Sequence, residues 1–277
     1  MKLLMAVVAL ATIPTPIARS QIKSGTVLFF DFSQDQITLA ADSRGVNNVG
    51  GHVDTDCKIS ALGSKFVFGM AGYVSRDSGD ENKTWNAHRI ARDIWRRDSE
   101  RFPNDTLLPH VAEDWVQTME LVYKDPKIIG YARSRPSSDP VLANALFVAV
   151  DDSGRLRAEL VDIAFDLRLF DSSGEVQLEH DITEMHVGEQ VMGGFTDTAA
   201  EFSRQTTDRA KAYMAWFQKR IAGLPIGEQR AEITSKYVEL SILLDSNSDQ
   251  LGFPVDVLQV DNTGVHWIWR KPNCPAN

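Results

Sequence analysis

Residues 25–72 read GTVLFFDFSQDQITLAADSRGVNNVGGHVDTDCKISALGSKFVFGMAG. From Thr26 to Phe32 the residues have strong β character, and the two-residue period puts Leu28, Phe30 and Phe32 on one face with Thr26. Ser33 to Gln36 is a polar turn and Ile37 to Ala41 returns, so the pair reads as a β-hairpin. Gly45 to His52 reads as a loop. Cys57 to Ala61 and Lys65 to Ala71 are two further strands around the Gly63-Ser64 turn. The opening is four antiparallel strands.

Downstream, Ile90, Ala91, Ile94 and Trp95 recur at helical spacing. A second helix carries Val111, Trp115, Met119 and Val122, with Pro109 near its start. Ala143 to Asp151 and Leu156 to Phe165 form a hairpin around Ser153-Gly154, and Phe170 to Val187 reads as another, turning at Ser172-Ser173-Gly174. Gly193-Gly194 leads into one long helix through Phe202, Met214, Phe217 and Ile221, which breaks at Gly223-Leu224-Pro225. A further helix carries Ile233, Tyr237, Leu240 and Leu244. Val255 to Val260 and Val265 to Trp269 close the chain as strands joined at Asn262-Thr263-Gly264. Strands, two helices, strands, two helices, strands is a segregated order. It favours an α+β fold of two packed antiparallel sheets with helix layers outside, not alternating βαβ units. No internal repeat or linker divides the chain.

At 277 residues the chain can bury a substantial core as one domain. Its formal charge of −9 and the lack of a Lys/Arg run argue against a nucleic-acid surface. Residues 1–20 look like an export signal: Lys2, an apolar run from Leu3 to Ile13, then Ala18-Arg19-Ser20. On that reading 21–25 is a short propeptide, 26–277 is the domain, and the protein is periplasmic or secreted; without a signal it is cytoplasmic. The apolar run is too short to span a membrane, and no later stretch could cross one. Cys57 and Cys274 could pair in an oxidising compartment, but the reading favours two unpaired thiols, one packed and one in the tail. The six histidines form no i, i+4 pair and no HExxH, there is no G-x-S-x-G elbow, and there is no phosphate-binding glycine loop. Neither a metal nor a cofactor is expected.

Thr26, Asp42, Arg44, Lys58 and Gly72 are the residues whose types and spacing together suggest chemistry. A threonine at a free N-terminus supplies both a hydroxyl nucleophile and its own amine as base. Gly25-Thr26, Ala41-Asp42-Ser43-Arg44, Lys58 and Ala71-Gly72 resemble the catalytic half of a proteasome β-type subunit, in the N-terminal-nucleophile hydrolase superfamily that also holds bacterial HslV. The family's threonine, aspartate, arginine, lysine and oxyanion glycine fall on Thr26, Asp42, Arg44, Lys58 and Gly72 without a gap, and its Gly-Thr processing bond on Gly25-Thr26.

The resemblance implies a four-layer αββα sandwich, self-cleavage after Gly25, hydrolysis of peptide or other amide bonds, and assembly into a homo-oligomer. In such a site Lys58 would lower the pKa of the Thr26 amine, Asp42 would hold Lys58 charged, and the Gly72 N–H would face the oxyanion. The family's Gly-Ser-Gly turn corresponds to Met192-Gly193-Gly194-Phe195, which carries no hydroxyl. Its later aspartate falls within residues 248–253, with Asp249 the nearest candidate. Phe170 to Val187 and Ser75 to Lys83 are additions to the family pattern. The alternatives are a catalytically inactive proteasome-like subunit with an assembly role, and an exported binding module that keeps only the fold.

Overall fold

A computed structural model of the chain describes residues 17–18, 26–46, 52–54, 57–76, 85–133, 141–166, 177–194, 196–245, 250–272 and 274. Most of the leader, Gly25, the 172–174 turn and Asp249 lie outside the described residues.

The strands of the first half are β1 (Ile17–Ala18), β2 (Val27–Phe32), β3 (Gln36–Ala41), β4 (Gly45–Val46), β5 (His52–Val53), β6 (Ile59–Gly63), β7 (Phe66–Gly72), β8 (Ser75–Arg76) and β9 (Trp85–Asn86). Helices α1 (Ala87–Ser99), α2 (Asn104–Tyr123) and α3 (Pro126–Arg133) follow. Next come β10 (Val141–Val150), β11 (Leu156–Phe165), β12 (Leu178–Glu184) and β13 (Gln190–Gly194). Helices α4 (Asp197–Arg204), α5 (Asp208–Ile221) and α6 (Ile226–Leu244) precede β14 (Asp256–Asp261) and β15 (Gly264–Trp269).

Two sheets carry the fold. One runs β1-β13-β2-β3-β14-β15, antiparallel except for the short β1, and the other runs β12-β11-β10-β7-β6, antiparallel throughout. In β2 every residue is buried because both faces are covered. Val27 and Phe29 pack with Met214, Phe217 and Tyr237 of α5 and α6, while Leu28, Phe30 and Phe32 pack with Val67, Leu146 and Leu160 of the second sheet. On the far side of that sheet, Phe68, Met70, Phe147 and Val161 meet Trp115 and Met119 of α2. The apolar layers therefore lie between helices and sheet, between sheet and sheet, and between sheet and helices.

Four expectations from the sequence need correction. Pro109 lies inside α2, whose first residue is Asn104. Its ring removes the N–H that would bond to the Asp105 carbonyl, and Arg157 Nη1 donates to that carbonyl instead, at 2.9 Å. The long helix after Gly194 is two helices. Gln205 takes a left-handed backbone (φ 51°) that ends α4, and the Thr207 hydroxyl accepts from Ala210 N at 3.2 Å to start α5. β12 pairs with β11, so the hairpin expected within 170–187 is a β11–β12 pairing.

The fourth correction concerns the cysteines, because Cys57 and Cys274 form a disulfide. No periodic pattern marks residues 270–274, so nothing in the sequence places the tail beside Cys57. No helix among the described residues is long and apolar enough to cross a membrane.

The disulfide closes a loop across 217 positions, so chain entropy alone gives it several kcal/mol. Cys57→Ala with Cys274→Ala is expected to lower the unfolding free energy by about 3–5 kcal/mol. Urea unfolding of this variant and the wild type checks it, and coincident midpoints refute it.

Candidate active site

Thr26 directly precedes β2 and is fully buried. Lys58 directly precedes β6, and its ammonium donates to Thr26 Oγ1 at 2.9 Å from a position only 2% exposed. A cation donating to a hydroxyl favours loss of the hydroxyl proton.

Asp42 follows β3 and is also fully buried. Its Oδ1 accepts from Val27 N at 3.0 Å, and its Oδ2 accepts from Arg44 N at 3.0 Å and Gly252 N at 3.3 Å. One carboxylate thus ties the start of β2, the end of β3 and the segment before β14. Burial pushes the Asp42 carboxyl up to about 6, against the opposing pull of the Lys58 charge and the three N–H donors.

Arg44 contributes its backbone to Asp42, but its guanidinium turns away to a two-pronged ion pair with Asp54, Nε to Oδ1 at 2.6 Å and Nη2 to Oδ2 at 2.9 Å. Gly72 ends β7 with φ +113°, and a Cβ there would strike the Leu142 carbonyl. Ala71 lies against Gly193, and the neighbouring Gly194 (φ +85°) lies against the Thr26 carbonyl, so the end of β7 borders the site. Asp249 is outside the described residues.

Gly194 has no room for a side chain. A Cβ at this position would overlap the Thr26 carbonyl oxygen, and the backbone angle is one that side chains rarely adopt. At Gly193 the neighbours are less close, with Ala71 Cβ and Asn144 Oδ1 each 3.3 Å from a Cβ position.

Three contributors were not named from the sequence. Gly252 donates to Asp42, and its carbonyl accepts from Ser43 N at 2.9 Å. Asn144 is buried in β10, with its Nδ2 donating to Asp162 Oδ1 at 2.5 Å and its Oδ1 without a partner among the described residues. An amide in the apolar run Val141 to Val150 was the available signal. His88 bonds Ser60 through Nδ1 at 2.8 Å while its Nε2 has no partner among the described residues; burial, reinforced by Lys58, Arg92 and Lys271, pushes it down to about 3 and keeps it neutral. Among the described residues no three His, Cys, Asp or Glu side chains gather as a metal site.

No family model matches this chain, and no curated protein matches it significantly.

Gly194→Ala is expected to destabilise the protein by about 3 kcal/mol or more, and Gly193→Ala by about 1 kcal/mol. Denaturant unfolding of both variants checks the order, and equal losses would count against the close approach to Thr26. The folded chain binds the Asp42 proton more tightly than the unfolded chain, whose ordinary value is 3.8, so ionising Asp42 between pH 4 and pH 6 weakens the fold. The stability of wild type minus that of Asp42→Asn is therefore expected to fall by about 2 kcal/mol from pH 4 to pH 7. A flat difference across that range would refute the raised value.

Proposed function

We propose that this chain is an N-terminal-nucleophile amidohydrolase of proteasome-like αββα architecture, in which Thr26 is freed by self-cleavage after Gly25 and then hydrolyses peptide or other amide bonds. The observation that carries the reading is the buried Lys58 ammonium on Thr26 Oγ1, with Asp42 bound to the next amide in the chain.

In the self-cleavage step Thr26 Oγ adds to the Gly25 carbonyl carbon. The Gly25–Thr26 C–N bond then breaks, and the hydroxyl proton ends on the departing nitrogen. Water hydrolyses the resulting ester, releasing the leader as a carboxylate and leaving Thr26 with a free hydroxyl and a free amine. In turnover that amine takes the hydroxyl proton as Oγ attacks the substrate carbonyl, and passes it to the leaving amine. An acyl ester forms, and water cleaves it.

Lys58 stabilises negative charge on Oγ, and Asp42 in its ionised form balances the lysine. With the Asp42 carboxyl near 6, self-cleavage should weaken below that pH. Residues 1–20 stay an export signal alongside this reading, with 21–25 the propeptide that self-cleavage removes, and the disulfide supports export, since such bonds persist in oxidising compartments.

A second reading, an inactive scaffold subunit, draws on the two glycines at 193–194, which leave no hydroxyl where the family holds its free amine. Covalent capture by a peptidyl epoxyketone separates the two, because the reagent requires a free N-terminal threonine.

The wild-type chain is expected to mature to an N-terminus at Thr26, and Thr26→Ala to lower cleavage and turnover by about three orders of magnitude or more. Intact mass and N-terminal sequencing check this. A Thr26→Ala protein that is still cut after Gly25 would refute the assignment.

A further inference from the structure

Each of the two charged residues of the site has its chain neighbour fastened to the same distant segment. Cys57, immediately before Lys58, is bonded to Cys274. Ser43, immediately after Asp42, accepts from Lys271 Nζ at 2.6 Å while its own hydroxyl donates to the Pro254 carbonyl.

Lys271 is 4% exposed and is held in turn by Asp256. Its ammonium is 2.8 Å from Asp256 Oδ2, and its backbone N–H donates to Oδ1 at 2.9 Å. Asp256 is fully buried and lies opposite Ala41 in the β3–β14 ladder, one residue from Asp42. Cys274 N donates to the Lys271 carbonyl at 3.1 Å, so the two fastenings belong to one short turn.

A buried Lys–Asp pair is a costly way to hold a tail by stability alone, since apolar residues of similar size do as well or better. What the pair adds is direction: a charged donor aimed at the hydroxyl beside Asp42, matched by a covalent bond beside Lys58.

We infer that residues 271–274 act as a clasp that positions Asp42 and Lys58 for the chemistry at Thr26, with Lys271 and the Cys57–Cys274 bond as its two positioning elements. The inference rests on the proposed role of Thr26. The clasp touches neither Thr26 nor a substrate; it acts through the chain neighbours of the two charged groups. Without it, the Asp42 carboxylate loses the restraint on Ser43, and Lys58 loses the fixed strand entry that aims it at Oγ1.

Two variants of the full chain test it. Lys271→Met with Asp256→Asn removes both charges and the bond to Ser43, yet keeps an acceptor for the residue 271 amide. Cys57→Ala with Cys274→Ala removes the other fastening. Should one variant fail to fold, the other still decides.

The first readout is hydrogen exchange at Val27, Arg44 and Gly252, whose amides donate to Asp42, measured against amides of the β10–β11 hairpin. The second is the rate of cleavage after Gly25 as a function of pH. Exchange at the three amides is expected to rise about tenfold or more beyond any rise at the hairpin amides. Cleavage should slow about tenfold or more with a displaced pH midpoint, as a misplaced catalytic group would cause and a uniform loss of stability would not.

The inference is overturned if the variants that fold keep wild-type protection at these amides, or are cut at the wild-type rate with an unmoved midpoint. A wild-type chain that is never cut after Gly25 would refute the role of Thr26 instead, and the exchange measurement would then decide the clasp by itself.

Discussion

The carboxylate of Asp42 is the constraint on which the site depends. It is fully buried and accepts from Val27, Arg44 and Gly252, which belong to three separate parts of the chain. A hydrogen bond to a charged group contributes about 1.5–3 kcal/mol, while stripping water from a carboxylate costs more than any one such bond returns. Burial has the upper hand, which is why the group holds its proton to about 6. The fold is thus easier to make with Asp42 neutral, while the proposed chemistry wants it charged. At neutral pH the site holds an ionised carboxylate that the fold tolerates at a cost.

Both glycines after Met192 belong to the same frame. The β13–β2 ladder brings Gly194 opposite Val27, so close to the Thr26 carbonyl that no side chain fits. The absence of a side chain at residue 194 is therefore built into the backbone path. If the free amine of Thr26 is held as proposed, its partner must come from another element. Asn144 on β10, whose Oδ1 lies beside Gly193 with no partner among the described residues, is a buried acceptor near Gly194.

Much of this arrangement was legible in the sequence because it obeys local rules. The two-residue alternation of residues 27–32 and 37–41 gave the first hairpin, and the three-to-four spacing of Val111, Trp115 and Met119 gave the face of α2 that meets the second sheet. The types and spacing of Thr26, Asp42 and Lys58 were enough to pick them out, and the structure brings all three together. Arg44 was picked by the same logic, but its side chain serves Asp54. What could not be read were features that depend on long-range geometry. The break at Gln205 leaves the apolar stripe in step on both sides. The fourth-position carbonyl freed by Pro109 is taken by Arg157, which lies on another strand. Lys271 and Cys274 sit in a tail with no periodicity, and Ser43 and Cys57, which they fasten, lie more than two hundred positions earlier.

That separation bears on when the protein can first acquire its site. During synthesis, Cys57 emerges 217 positions before Cys274. At about 5–20 residues per second, roughly ten to forty seconds pass between them. Throughout that interval the nascent chain already carries Thr26, Asp42 and Lys58 but lacks the segment that fastens their neighbours. On the proposed function, a site whose neighbours are fastened by Lys271 and Cys274 is in effect silent on the ribosome until those residues emerge.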